Sequence, residues 1–357
     1  MSESCQIAYI GDVNKTAYNG DVSKTPCNGD ITSCNCDVTK ATCNGDVTFN
    51  GDVNSNVIGP EGRWLPIFQV DAFTDKPFSG NPAAICLVEE GDLTDDEQQK
   101  IAAEMNLSET AFLRKLSHKD DFSTGSKFGL RWFTPTKEID LCGHATLASA
   151  ASLFYIMDNP SPKLTFVTRS GELFAERQGE YISLDLPENV PKPQDRQAYS
   201  RLLQAIVGTT PVQDVRYCSS VGGDLLVRLS DDTTRATLES LKPDLGAMMA
   251  AHTEGKLRGV AVTVKGSPSN GCTDARGVGY DFISRFFSPW YGVPEDPVCG
   301  SAHTVLASYW AKELGQTDFY VRQCSPRGGD LKVRLREDGR VEVAGKATVV
   351  FKGEIKI

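Results

Sequence analysis

The sequence predicts an α+β protein made of two similar domains that face each other, and two observations carry that expectation. The first is an internal repeat. Arg131-Trp132-Phe133-Thr134-Pro135, followed by Cys142-Gly143-His144-Ala145-Thr146, returns as Arg285-Phe286-Phe287-Ser288-Pro289, followed by Cys299-Gly300-Ser301-Ala302-His303, across a loop three residues longer. Self-similarity of this kind marks a structural unit used twice. The second is that short apolar strands flank one helix of small apolar residues in each copy, which points to sheet and helix sharing a core.

The elements follow in order. Residues 1–63 form a low-complexity tail in which Gly11-Asp12-Val13, Gly20-Asp21-Val22 and Gly29-Asp30-Ile31 recur every nine residues. Such a tandem repeat is expected to be a disordered tail. From Trp64 the pattern changes. Residues 65–73 alternate as a strand, Phe78-Ser79-Gly80-Asn81-Pro82 is a loop, and Ala83–Val88 is a second apolar strand. Thr94-Asp95-Asp96-Glu97 is a capping box opening an amphipathic helix to about Met105. An apolar strand after Glu109, another over Phe128–Phe133 and the first Cys-Gly helix come next, then strands over 164–168, 173–177 and 181–186. Pro187, Pro191 and Pro193 mark the crossing into the second domain. Helices are expected near Ala198–Ile206 and Arg235–Met249. Strands are expected near 225–229, 259–264, 279–287, 319–323, 331–335 and 340–343, with a closing strand over 347–357. The resulting domains are 64–186, to which 347–357 returns, and 187–346.

The net charge of −10 argues against a nucleic acid or an anionic membrane surface as partner. No apolar run approaches the roughly 18 residues that a membrane helix needs. The N-terminus lacks the pattern of a signal peptide, so a cytoplasmic protein is expected. Its eleven cysteines are then expected as free thiols. Cys34-Asn35-Cys36 and Cys43 have no paired metal spacing, and His118, His252 and His303 form no ligand pair, so no metal is expected. No phosphate loop or nucleotide fingerprint is present.

The chemistry concentrates at the two helix starts. Gly143 and Gly300 permit unusual backbone conformations and close approach to a ligand. The helices behind them offer unpaired N–H groups and a partial positive charge, a place for a carboxylate or a developing oxyanion. Glu109 lies between a helix end and an apolar strand, where burial would raise its pKa toward the range useful for proton transfer. Arg131 and Arg285 are expected to pair with acids across the domain interface or to contact substrate.

Phe68-Gln69-Val70-Asp71-Ala72-Phe73, Gly80-Asn81-Pro82-Ala83-Ala84, Asn106-Leu107-Ser108-Glu109-Thr110-Ala111-Phe112, Leu141-Cys142-Gly143-His144-Ala145-Thr146 and Glu295-Asp296-Pro297-Val298-Cys299-Gly300-Ser301-Ala302-His303 together resemble the PhzF-like, or phenazine-biosynthesis-like-domain, proteins of the diaminopimelate epimerase fold. The resemblance covers Leu65–Ile357. It implies two pseudo-symmetric domains, each a curled, mostly antiparallel sheet around a central helix, with the active site between them. It implies a cofactor-independent isomerase, usually a homodimer, that moves a proton next to a carboxylate of a small anionic substrate. Carried over by motif, Glu109 is the acid/base, His144 and Asp296 orient substrate or assist transfer, and Gly143, Gly300 and Ser301 bind it.

Two alternatives stay open. Related epimerases use one cysteine before each central helix, and Cys142 and Cys299 stand at both places, where a helix start would lower a thiol's pKa. A catalytically idle descendant that binds a ligand or a protein is the other.

Overall fold

The computed structural model describes residues 62–357 other than 90, 92 and 221. The nine-residue repeats and the tail cysteines lie outside the described residues.

The first half contains β1 (Trp64–Ala72), β2 (Asn81–Val88), α1 (Asp95–Met105), β3 (Glu109–Arg114), β4 (Lys127–Phe133), β5 (Glu138–Ile139), α2 (Gly143–Tyr155), β6 (Lys163–Thr168), β7 (Gly171–Gln178) and β8 (Tyr181–Pro187). The second contains β9 (Lys192–Pro193), α3 (Ser200–Val207), β10 (Val212–Cys218), β11 (Asp224–Leu229), α4 (Arg235–Ser240), α5 (Leu245–Ala251), β12 (Gly259–Lys265), β13 (Phe282–Ser288), β14 (Val293–Asp296), α6 (Gly300–Leu314), β15 (Asp318–Gln323), β16 (Gly329–Leu335) and β17 (Arg340–Gly345). A last strand, β18 (Ala347–Lys356), follows.

The duplication read from the sequence extends through the whole pairing scheme. In the first half β1 runs antiparallel to β2, β2 parallel to β3, and β3 antiparallel to β4. Strand β4 then pairs antiparallel with β5 and parallel with β6, and β6, β7 and β8 form a meander. Strands β10 to β17 repeat this step for step. The halves join where β8 pairs antiparallel with β17. At the two ends, β18 pairs with β1 and β9 with β10, so the chain's last strand returns to the first half. The fold is α+β, two pseudo-symmetric curled sheets each around a central helix.

Why the central helices sit inside follows from their composition. Every residue of α2 from His144 to Phe154 is buried. A helix that is apolar on all sides must be enclosed, and its alanines let the strands approach closely. Its hydroxyls do not break the core, because Thr146, Ser149 and Ser152 donate to the carbonyls of Cys142, Ala145 and Ala148, four residues back. Helix α6 is buried in the same manner from Ala302 to Trp310. One continuous apolar cluster carries residues of both central helices, and a second lies beneath α3 and α5.

The capping box forms as expected. The Thr94 hydroxyl accepts from the Glu97 N–H, and the Glu97 carboxylate accepts from the Thr94 N–H at 2.7 Å. Asn106 ends α1 in a left-handed conformation, φ 48°, and turns the chain so that Glu109 opens β3.

Three expectations are corrected. The helix expected over Arg235–Met249 is two, α4 and α5. Pro243 lies between them and cannot continue a helix. Strand β10 was not expected, since Gln213, Asp214 and Arg216 obscure its apolar alternation. Arg131 and Arg285 do not bridge the halves. Each makes a two-pronged pair with an acid of its own half, Arg131 with Glu138 and Arg285 with Glu295. These acids are themselves repeat equivalents, each four residues before its Cys.

Candidate active site

Helices α2 and α6 meet at their first turns. Cys142 and Cys299 occupy the two N-cap positions with extended backbone, and neither side chain caps its helix. A Cβ built on Gly143 would stand 3.6 Å from the Gly300 Cα, and one on Gly300 would stand 3.7 Å from the Gly143 Cα. Neither glycine has a positive φ. Neither the neighbouring backbone nor the conformational freedom expected from the sequence demands glycine here; what the two glycines leave is a narrow open space between the helix starts.

Around this junction the fold gathers all eight sequence-predicted residues. The His144 Nε2 lies 3.1 Å from Glu109 Oε2 and 3.4 Å from the Ser108 hydroxyl. On its other side, His144 Nδ1 lies 3.4 Å from Cys142 Sγ. The second half repeats that last contact with different chemistry, Cys299 Sγ standing 3.4 Å from the Ser301 hydroxyl. Glu109 and His144 are nearly enclosed, with side chains 12% and 5% exposed. The histidine contact is one of charge more than of an aligned hydrogen bond, and Glu109 Oε2 has no hydrogen-bond partner among the described residues.

The electrostatics correct one expectation. Burial does push the Glu109 carboxyl up, but the charge of His144 and contacts from Ser108 and Cys142 outweigh it, and the pKa lies below the ordinary carboxylate value. Burial opposes charge on His144, yet its neighbours Cys142 and Glu109 hold its pKa well above the ordinary value. Because burial and the nearby carboxylate push the Cys142 thiol up, Glu109 is the partner that keeps the imidazolium charged. Burial also raises Asp296, and the Glu109 charge adds to that against the lowering effect of His144. The Cys299 thiol is pushed far up by burial and by Asp296. At both cysteines burial defeats the helix start.

Asp296 is placed by residues that the sequence reading did not single out. Asn81, wholly buried at the start of β2, donates to Asp296 Oδ1 at 2.7 Å and to the Val298 carbonyl at 3.0 Å. Gln323 accepts from the Cys299 N–H at 2.9 Å and donates to the Asp296 carbonyl. Arg258 donates to the Ser301 hydroxyl at 2.8 Å and pairs with buried Asp224. Asn81 lay inside a motif already noticed. Arg258 carried a signal only through the sheet register, which the repeat in sequence does not reach.

Glu109, Cys142 and His144 also bring one potential metal-ligand atom each within 4.8 Å of the others. A borderline-soft divalent cation could draw ligands from that set. It arises from β3 and α2 meeting, not from sequence spacing. Among the described residues no helix is long and apolar enough to cross a membrane.

The sequence profile described as phenazine biosynthesis-like protein matches residues 70–353. The chain is 53% identical over 291 residues to a phenazine biosynthesis-like domain-containing protein of Bos taurus, covering 82% of this chain and 99% of that protein. It is 42% identical over 293 residues to a Pseudomonas aeruginosa protein named an uncharacterized isomerase, with 82% and 99% covered. A crystal structure of a PhzF-family phenazine biosynthesis protein from Enterococcus faecalis is 38% identical and superposes with a TM-score of 0.70, over 83% of this chain and 100% of that one.

Proposed function

Because the chain belongs to the phenazine biosynthesis-like protein family, we propose that it is an isomerase that moves a proton near the carboxylate of a small anionic substrate, with Glu109 as acid/base. The observation that carries this reading is the enclosed Glu109–His144 contact at 3.1 Å, beside two helix starts that touch. The naming of bacterial relatives as isomerases agrees with it.

The geometry suggests the following course. Ionised Glu109 removes a proton from a carbon of the bound substrate and becomes a carboxylic acid. The C–H electron pair passes into the substrate's conjugated system, and charge develops on its oxygens. The N–H groups at Gly143 and Gly300 and the Ser301 hydroxyl accept that charge as hydrogen-bond donors. His144 holds Glu109 ionised and oriented, and Asp296, tethered by Asn81, fixes the other side of the substrate. Glu109 then returns the proton to a different carbon on the same face, and the electron pair forms the new C–H bond. Nothing is oxidised or reduced, and the course calls for no cofactor.

The two-thiol course would need a thiolate on one face. Burial raises both Cys142 and Cys299, which favours the carboxylate. The test is deuterium uptake. The protein is incubated in heavy water with a panel of cyclic and amino-acid carboxylates, beside Glu109→Gln, and the products are read by mass spectrometry. Glu109-dependent uptake or isomerisation supports the reading. Uptake that survives in Glu109→Gln but disappears in Cys142→Ser and Cys299→Ser overturns it in favour of the thiols, and a tightly held ligand with no exchange favours an idle binding protein.

A further inference from the structure

The two halves hold equivalent pairs of positions beside their helix starts and exchange what stands in them. Thr110 pairs with Phe133 on β4, and Val260 pairs with Phe287 on β13. Phe133 and Phe287 are repeat equivalents, so Glu109 matches Gly259 and Ser108 matches Arg258. By the same repeat His144 matches Ser301. The first half sets a strand-side hydroxyl, Ser108, against a helix-side cation, His144, at 3.4 Å. The second sets a strand-side cation, Arg258, against a helix-side hydroxyl, Ser301, at 2.8 Å.

The second half has no room for an acid at the Glu109 position. A Cβ on Gly259 would fall 2.3 Å from Phe286 Cζ, so the Phe286 ring fills that place. The Arg258 guanidinium packs on the same ring, 5.3 Å from its centroid. Its Nε and Nη2 donate to the two oxygens of Asp224, a side chain only 1% exposed. With the bond to Ser301, three of the five N–H groups of an arginine are spent. The side chain itself is 20% exposed. It is also close enough to Cys299 and Asp296 for their charges to act on it. A buried ion pair contributes little net stability against an apolar replacement, so stability alone is a weak reason to keep this partly exposed guanidinium with donors to spare.

We propose that Arg258 is an anion-binding residue of the cleft, which takes the substrate's carboxylate at the start of α6, across from Glu109. The inference rests on the isomerase reading only in that the cleft's occupant is the substrate. A guanidinium matches a planar carboxylate with parallel N–H groups. It also keeps its charge while protons move at Glu109 and His144. Because Arg258 donates to the Ser301 oxygen, the hydroxyl proton of Ser301 can turn from Cys299 Sγ toward the same anion. The carboxylate is then gripped by the second half, and the carbon skeleton beside it faces the acid of the first.

The test compares benzoate with its neutral isostere benzamide as probes, by saturation-transfer NMR titration against the full chain. Wild type is expected to favour benzoate by about tenfold or more, the scale of one charge-assisted bond. Arg258→Gln is expected to lose that preference. Asp224→Asn, which breaks the ion pair but leaves the guanidinium, is expected to keep it. If Arg258→Gln does not fold by circular dichroism, Arg258→Lys serves instead, which retains charge without the planar donors and is expected to reduce the preference. An unchanged preference in the Arg258 variant overturns the proposal. So does an equal loss in Asp224→Asn, which would mark the pair as structural, or no preference in wild type. Failure of the isomerase reading looks different: Arg258-dependent benzoate binding would persist with no deuterium uptake in any carboxylate.

Discussion

Gly143 and Gly300 face each other across the start of the two central helices, each standing where a methyl on the other would make an ordinary contact, at 3.6 and 3.7 Å. The space between them is therefore narrow but not full. Gly143→Ala and Gly300→Ala are expected to fold with stability changed by less than about 1 kcal/mol, since alanine is the better helix former. In the proposed course substrate reaches the helix N–H groups where the added methyl would stand, so KM in the exchange assay should rise in both. A KM unchanged in both variants, alongside unchanged denaturation midpoints, would remove the substrate from this gap.

The second prediction concerns which group carries the proton. Glu109→Gln should cut exchange by about 10²–10⁴-fold, the usual contribution of a positioned acid/base. Cys142→Ser and Cys299→Ser should keep most of the rate, because burial holds both thiols protonated. Initial rates of deuterium uptake decide it, and a tolerant Glu109 with inactive thiol variants would reverse the assignment.

The pH dependence has a definite sign. Glu109 titrates below its ordinary 4.5 and His144 well above its ordinary 6.5. Exchange should be flat through the neutral range, falling in acid as Glu109 protonates and in alkali as His144 loses its proton. The same shifts bear on stability. The Glu109 contribution is present above 4.5 and fades as pH falls through the lowered value. The His144 contribution is present below 6.5 and fades as pH rises through the raised value. The stability gap between wild type and His144→Asn should therefore be widest between these two ordinary values. In His144→Asn the alkaline limb should vanish, and the acid limb should move up because the neighbouring positive charge is gone. Urea melts and rate profiles across pH check both.

The matched arginines differ in weight. Arg285 is 7% exposed, pairs with Glu295, and donates to the carbonyls of Leu238, Glu239 and Leu241 at the end of α4. Removing it strands a largely buried carboxylate and open carbonyls, so Arg285→Met should cost about 3–5 kcal/mol. Arg131 is 28% exposed, and Glu138 keeps Arg169 as a second partner. Arg131→Met should cost no more than about 1 kcal/mol. Equal losses in denaturant titration would show that the difference in burial and partners between the two arginines does not set their weight.

The sequence by itself determined the duplication and the α+β class, and it named eight residues that the fold gathers at the two helix starts, though not Asn81, Gln323 or Arg258. Cys-Gly before a small-residue helix, used twice, is a local pattern, and local patterns survive in one dimension. It could not give the direction of the Glu109 shift, because burial and the His144 charge act in opposite senses and only their distance decides which wins. It gave no reason to pair Arg131 with Glu138 instead of an acid across the interface, since a strand pairing made that choice. It was silent on Arg258, whose kinship with Ser108 exists only in the register of β12 on β13. A strand's partners, and hence the charges that meet at its end, are set by contacts distant in sequence, and those appear only once the chain has folded.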